Sequence, residues 1–362
     1  MYRGGEGLKI MKKIMVVGAS GVLGQLVCSE LIRIFDSQIR LIVTDYKIER
    51  GEKLANSFNT DVQFRYLDAN REENVKQAIK NIDIVVVVLK QKNPYIQKVC
   101  IENKILCLDV TPYYEFVEKV NELNEDAQNN DIGSVVMSGF FPGLSGLMVK
   151  KAISNFSEVI EINVGLLQNT NAKAGISGIL DMLNIIAQPV KFENKVIFGF
   201  TNKRKMDFLH HLKEKEVRCI DHSEKTILKE TLGINSINYW TSWNVNIFNN
   251  LVSLLRQVGF IKNIHKHKDF LSKVVKHKPH KNENIFLTVE VKGVIDNKEK
   301  LKILTLSTFS DYHTTAMATA SLAKIAQQKN VKGVVYPFEI TDIDELLSKI
   351  NCPNIIIEEF EK

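Results

Sequence analysis

The sequence predicts an α/β protein: a doubly wound parallel sheet, followed by a second α+β domain built on a largely antiparallel sheet. Three observations predict it. Lys12 to Glu30, KKIMVVGASGVLGQLVCSE, runs from an apolar stretch through a glycine-rich turn into a helical pattern, the sequence form of strand, tight turn and helix N-terminus. Apolar runs then alternate with helical stretches as far as Met137, and Ile82 to Leu89 (IDIVVVVL) has the continuous Val/Ile character of a strand covered on both faces. After Phe156 the pattern changes to long alternating strands, two of them joined through Asp296-Asn297, a hairpin signal.

In the first stretch Ile14 to Val17 is the strand, and Gly18, Gly21 and Gly24 follow at G-x-x-G-x-x-G spacing. Gly18 permits the sharp turn, Gly21 lets a pyrophosphate approach the backbone, and Gly24 lets the helix pack close to the strand. The free N–H groups and positive dipole end of that helix favour a phosphate. The next strand, Ile39 to Val43, leads to Asp45, about 20 residues after Gly24, where a dinucleotide fold carries the acid that binds the adenosine ribose.

Arg50 to Phe58 reads as a helix, Val62 to Tyr66 as a strand ending at Leu67-Asp68, and Asn70 to Ile79 as a helix with Asn70 and Glu73 spaced as in a capping box. Ile82 to Leu89, Ile105 to Asp109 and Ser134 to Met137 are further strands, with Pro94 to Asn103 and Tyr114 to Gln128 as the helices between them. Six strands separated by helices make a Rossmann-type sheet, which takes its ligands at the carboxyl ends of its strands. The glycine- and proline-bearing loop Ser138 to Gly146 follows such an end and is expected to border the cofactor cleft. Beyond it, Ser157 to Leu167 is a long strand, Gly175 to Ala187 a helix stopped by Pro189, and Asn246 to Gly259 an amphipathic helix. Asn284 to Gly293 and Lys298 to Ser307 form the hairpin. An Ala-rich helix (Thr314 to Gln328), a short strand (Val331 to Tyr336) and a helix (Asp342 to Ile350) make a tail that returns to the first domain. The expected division is therefore 1–156, 157–308 and 309–362.

Composition narrows the classes. The 362 residues have room for two domains, and 44% apolar with 25% charged residues is ordinary for a soluble globular chain. A net charge of +6 spread over scattered lysines argues against a nucleic-acid partner. No apolar run approaches the ~20 residues that cross a bilayer, so no membrane partner is expected. Residues 1–10 lack the apolar core of a signal peptide, and Met11 reads as a natural start, with those ten as an extension. Five widely spaced cysteines without a C-x-x-C pair read as buried, reduced thiols of a cytoplasmic protein. The stretches His265-Lys266-His267-Lys268 and His277-Lys278-Pro279-His280, broken by lysines, read as a solvated loop, and no metal site is expected.

No Tyr-x-x-x-Lys pair, G-x-S-x-G, H-E-x-x-H or G-K-[S/T] occurs, which removes several familiar chemistries. What is present resembles the saccharopine dehydrogenase-like family of NAD(P)-dependent oxidoreductases. The resemblance rests on the turn Gly18 to Gly24 and on the strand Ile105-Leu106-Cys107-Leu108-Asp109, similar to the family's strand ending Tyr-Val-Asp, with Cys107 in the tyrosine's place. It rests also on Gly139-Phe140-Phe141-Pro142-Gly143, similar to its Gly-x-x-Pro-Gly turn, and on Gly333 to Glu339 after the Ala-rich helix. The middle of the chain is similar only loosely, at Gly175 to Pro189 and around Trp240 to Arg256. The resemblance implies a nucleotide-binding domain made from both ends of the chain, with a substrate and dimerisation domain inserted. It also implies hydride transfer at a C–N bond between amino-acid and keto-acid partners. An Arg-rich constellation for a substrate with three carboxylates is not seen, which counts against saccharopine itself.

Hydride transfer needs an acid or base beside the reacting carbon. Lys90, Asp109 and His313 are the candidates, with Tyr113 a further one. Gly18, Ser20, Gly21, Val22, Asp45, Asp68, Gly139 and Pro142 are the expected cofactor contacts. An ionised Asp45 accepts from a ribose 2′-hydroxyl and repels a 2′-phosphate, which favours NAD over NADP, against the pull of Lys47 and Arg50. The substrate is expected to be a small amino-acid-derived molecule lying between the domains, with Asn169 to Ser177 completing its pocket. The strands Asn284 to Gly293 and Lys298 to Ser307 need covering, which predicts a homodimer through the inserted domain. The alternative is a dinucleotide-binding regulator without turnover, its second domain binding a ligand at Asn169, Ser177 and Trp240.

Overall fold

The computed structural model describes residues 11–36, 38–173, 175–192, 195–209, 212–261, 277–278 and 280–362. They divide into two compact units. The first takes the described residues up to Thr111, then Glu115–Ser138 and Thr319–Tyr336; the second takes Pro112–Tyr114, Gly139–Ala318 and Pro337–Lys362.

The first unit holds β1 (Lys12–Val17), α1 (Val22–Ile34), β2 (Ile39–Asp45), α2 (Ile48–Ala55), β3 (Val62–Tyr66), α3 (Glu72–Ala78), β4 (Ile84–Val87), α4 (Tyr95–Glu102), β5 (Leu106–Asp109), α5 (Tyr114–Asn121), α6 (Asn124–Asn129) and β6 (Gly133–Val135). The second holds α7 (Leu144–Ile153), β7 (Glu158–Gln168), α8 (Ile176–Ala187), β8 (Pro189–Phe192), β9 (Lys195–Phe198), β10 (Lys203–Asp207), β11 (Glu214–Ile220), α9 (Glu224–Leu232), β12 (Ile237–Trp243), α10 (Asn246–Gln257), β13 (Ile285–Ile295) and β14 (Lys298–Thr308). Then α11 (Asp311–Lys329) starts in the second unit and enters the first at Thr319, and β15 (Gly333–Val335) belongs to the first. α12 (Pro337–Ile340), α13 (Ile343–Ile350) and β16 (Ile356–Glu361) belong to the second.

In the first unit all seven strands run parallel, in the order β15-β6-β5-β4-β1-β2-β3. The apolar runs occupy the middle: every residue of β4 and Ile14–Val17 of β1 are buried, as strands covered on both faces must be. Beneath them Met15, Val85, Val87, Ile96, Val99 and Cys107 form one core, each large side chain contributing about 1.5–3 kcal/mol. In the second unit the order is β10-β11-β12-β7-β13-β14-β16, antiparallel except for β12 with β7, and β8 and β9 form a separate hairpin.

Several expectations need correction. Asn70 does not cap a helix: α3 begins at Glu72 after Arg71 with no side-chain cap, and Asn70 turns back to Asp68. The single helix expected over Tyr114 to Gln128 is two, α5 and α6. The hairpin strands are not edges, because β13 lies between β7 and β14, and β14 is covered by β16, a strand the sequence reading omitted. The argument that their uncovered sides call for a dimer therefore falls. Four cysteines are buried and Cys352 half-buried, all as free thiols. His265 to Lys268 and Pro279 lie outside the described residues, whereas the His277 ring bonds the Asn171 carbonyl at 2.9 Å. Among the described residues no helix is long and apolar enough to cross a membrane.

Candidate active site

The glycine turn joins β1 to α1. Gly18 takes φ +89°, a value that an L side chain rarely adopts, and the Gly21 N–H closes the turn on the Gly18 carbonyl at 3.1 Å. A Cβ on Gly24 would stand 2.2 Å from the Gly18 oxygen, so only glycine lets α1 lie this close. A Cβ on Gly21 would meet only that oxygen, at 3.4 Å. Space is thus kept open over Gly21, at the N-terminus of a 13-residue helix, which fits a dinucleotide pyrophosphate. Ser20 and Val22 flank it, Val22 exposed.

Asp45 ends β2 beside this turn. Its side chain is only 3% exposed, and Arg50 clamps it in two places, Nε to Oδ2 at 2.6 Å and Nη2 to Oδ1 at 2.7 Å. The Lys47 N–H adds a bond to Oδ1 at 2.8 Å. Burial alone would raise its pKa, but the Arg50 guanidinium, the nearby Ser20 hydroxyl and the Lys47 N–H together hold it below the usual carboxylate range. Tyr46 is exposed next to it, with the Arg50 guanidinium 5.3 Å from its ring centre. Asp68, after β3, accepts from the Asn70 backbone N–H at 3.0 Å and pairs with Arg71 at 3.4 Å.

Asp109 ends β5 in the same sheet, buried to 1% exposure. Oδ2 accepts from Gln91 Nε2 at 2.8 Å and Gln97 Nε2 at 2.7 Å, and Oδ1 from the Thr111 N–H at 2.7 Å. These hydrogen-bond partners are neutral. Burial therefore dominates and pushes the carboxyl up to about 7, against the smaller pull of the three bonds. Lys90 is exposed in the loop after β4 that also carries Gln91.

The remaining candidates lie in the second unit. His313 sits in the first turn of α11, half-buried, its ring 5.2 Å from Phe309. The Tyr113 hydroxyl donates to Asp181 of α8, and burial first, then that carboxylate, push the phenol well up. Gly139 and Pro142 are buried in the loop before α7, where a Cβ on Gly139 would come within 3.3 Å of the Pro142 oxygen. That loop is pinned by a residue the sequence reading missed. The buried Glu224 accepts from the Gly143 N–H at 2.8 Å, the Gly146 N–H at 3.1 Å, the Tyr239 hydroxyl at 2.7 Å and the Ser145 hydroxyl. No spacing links Glu224 to the loop some 80 residues earlier, so only the fold reveals it. Trp240 is buried and spends its indole N–H on Asn163 at 2.8 Å, which makes it a core residue. The structure thus groups Gly18, Ser20, Gly21, Val22 and Asp45 at the ends of β1 and β2 in the first unit, with Asp109 at the end of β5, on the far side of β4 from β1.

Residues 14–135 match the family model of the saccharopine dehydrogenase NADP binding domain. Among solved structures, apo saccharopine dehydrogenase (L-Glu forming) from Saccharomyces cerevisiae has a TM-score of 0.72 at 13% identity, over 97% of this chain and 100% of that one. A DAP dehydrogenase from C. glutamicum in complex with DAP has a TM-score of 0.47 at 12% identity, over 93% of this chain and 98% of that one. No curated protein matches the chain in sequence. Residues 14–135 thus carry a nicotinamide-dinucleotide-binding domain similar to that of saccharopine dehydrogenase, and the chain as a whole shares the fold of the yeast structure.

Proposed function

We propose that this protein is an NAD(P)-dependent dehydrogenase or reductase that transfers hydride at a C–N (or C=O) bond of an amino-acid-derived substrate, with Asp109 as the acid/base. The observation that carries the reading is the state of Asp109: a buried carboxylate at a strand end, held by neutral donors, with its pKa raised to about 7. A group that gains and loses a proton near neutral pH suits the proton that accompanies hydride transfer. Gly18, Gly21 and the start of α1 would hold the pyrophosphate, and the bound nicotinamide would supply or accept the hydride. Lys90 and His313 remain the other acid/base candidates.

Arg50 bears on the cofactor. It already fills both Asp45 oxygens, which a ribose 2′-hydroxyl would need, and it brings a cation where a 2′-phosphate would lie. This favours NADP over the NAD suggested by Asp45 alone.

The direct test is to follow nicotinamide absorbance on adding panels of amino acids, and of keto acids with amines, in both directions. Turnover that vanishes in Asp109→Asn supports the reading. Tight cofactor binding with no turnover from any panel would favour a dinucleotide-binding regulator instead.

We further propose that the chain forms a homodimer through α10. Ile247, Leu251, Leu254 and Val258 recur on one exposed helical face, 82%, 51%, 57% and 68% accessible. Leu251→Asp with Leu254→Asp is expected to halve the mass seen by light scattering. A wild-type chain that is monomeric at micromolar concentration removes the idea.

A further inference from the structure

Asp109 is held by two amides that are themselves half satisfied. Gln91 and Gln97 each give an Nε2–H to Asp109 Oδ2, yet both Oε1 atoms are buried and meet no donor among the described residues. A buried carbonyl oxygen without a donor costs about 1–3 kcal/mol. One such atom is unremarkable in a chain of this size, but here two share one carboxylate. Gln97 is fully buried on α4, and Gln91 is half-buried after β4.

Amide geometry keeps each Oε1 about 2.2 Å from its own Nε2, so both carbonyls stay close to the carboxylate oxygen that their nitrogens serve. Turning an amide over would set its oxygen against Asp109 whenever that carboxyl is ionised, which favours the orientation seen. The carboxyl end of β5 therefore offers a surplus of acceptors: one carboxylate and two carbonyls. Strand ends are where sheets of this kind meet their ligands.

We propose that Gln91 and Gln97 read the reacting nitrogen of the substrate, their carbonyl oxygens accepting N–H donors from an amine whose remaining N–H faces Asp109. The inference rests on Asp109 as the acid/base of the proposed reaction. A hydroxyl carries one donor and fills one acceptor, whereas an ammonium carries two or three and fills the carboxylate and a carbonyl together. Sites built to hydrogen-bond a substrate group reject the analogue that lacks it by up to ~10⁴-fold, because buried polar atoms are left unpaired. The two glutamines thus set the choice of nitrogen over oxygen. They act on Asp109 as well, since each amide N–H lowers its pKa and removing one raises it.

The test uses the full chain with NADP and matched pairs that differ only in a 2-amino or 2-hydroxy group: alanine and lactate, norleucine and 2-hydroxyhexanoate, glutamate and 2-hydroxyglutarate. Binding is measured by calorimetry and saturation-transfer NMR in wild type, Gln91→Leu, Gln97→Leu and Asp109→Asn, with circular dichroism melting as the check on folding. At least one amine is expected to bind about 100-fold more tightly than its hydroxyl partner, and each glutamine variant to cut that ratio about tenfold or more. If Gln97→Leu does not fold, the half-buried Gln91 carries the test. A ratio lost in Asp109→Asn but kept in the glutamine variants overturns this inference and leaves the role of Asp109 standing; the carbonyls then serve a buried water. A ratio kept in all three variants, or no preference for any amine in wild type, overturns it together with the reading of Asp109.

Discussion

Asp45 and Asp109 close two strands of one sheet, both are buried, and they are poised in opposite ways. Asp45 meets a guanidinium in a two-point clamp and stays ionised. Asp109 meets only amide N–H groups and rises to about 7. Burial favours the neutral form of both, more strongly at the deeper Asp109, and the charge of the partner widens the difference. One carboxylate is thereby held as an anion, and the other is the proton carrier of the proposed reaction. Position at a strand end fixes neither role.

The largest expected effect comes from removing the proton carrier. Asp109→Asn should lower turnover by about 10²–10⁴-fold with cofactor affinity retained, and the wild-type rate should break near pH 7. The same group leaves a mark on stability. Its folded pKa exceeds its unfolded value near 3.8, so the folded chain holds this proton longer than the unfolded chain does. The contribution of Asp109 is thus fully present below about pH 4, declines as the pH rises to about 7, and is constant above. Denaturant titrations at pH 4 and pH 8 should show the wild type losing a few kcal/mol relative to Asp109→Asn between the two. A difference that does not change with pH would mean that Asp109 is ionised like Asp45, and the contrast would fail.

The glycine turn comes next. Gly21→Val should weaken dinucleotide binding about 100-fold, or ~2.7 kcal/mol, without unfolding the chain, because its Cβ meets only the Gly18 oxygen at 3.4 Å. Gly24→Ala should instead destabilise the fold, its Cβ falling 2.2 Å from the same oxygen. Calorimetry with NADP and thermal melts separate the two outcomes. Equal melting temperatures for both variants would show that Gly24 is not the packing glycine.

How far the sequence reveals these regions depends on what makes them. The turn and Asp45 are local: glycine spacing, an apolar run and an acid at a set distance are all written along the chain. Asp109 shows as a strand end, but its raised pKa does not, because that depends on Gln91 and Gln97, which arrive from a loop and from α4. Glu224 shows not at all, since its partners at Gly143, Ser145, Gly146 and Tyr239 are brought to it by tertiary folding. The hairpin β13–β14 was legible as two strands. Its place inside the sheet was not, because alternation reports which face is buried and says nothing of which neighbours lie alongside. The stretch from β10 to β12 passed unread for a related reason: Glu214–Ile220 mixes charged and apolar residues, and its partners are needed to identify it as a strand.

The smallest effect tests the other half of the comparison. Arg50 is half exposed whereas the carboxylate it clamps is not, so the pair is worth more than an exposed ion pair and less than a fully buried one. On the proposed reading its worth lies in the charge it would place at the ribose. Arg50→Gln removes the cation that a 2′-phosphate would meet and frees Asp45 Oδ2 for a 2′-hydroxyl, leaving the Lys47 N–H on Oδ1. The ratio of NADP to NAD affinity should then fall about tenfold or more. Asp45 should titrate at a higher pH in the variant, since burial is no longer outweighed by the guanidinium. Asp45→Asn should act in the opposite sense, leaving Arg50 free and strengthening NADP binding relative to NAD. If both substitutions leave the ratio unmoved, the clamp is structural only, and the contrast between the two aspartates reduces to their pKa values.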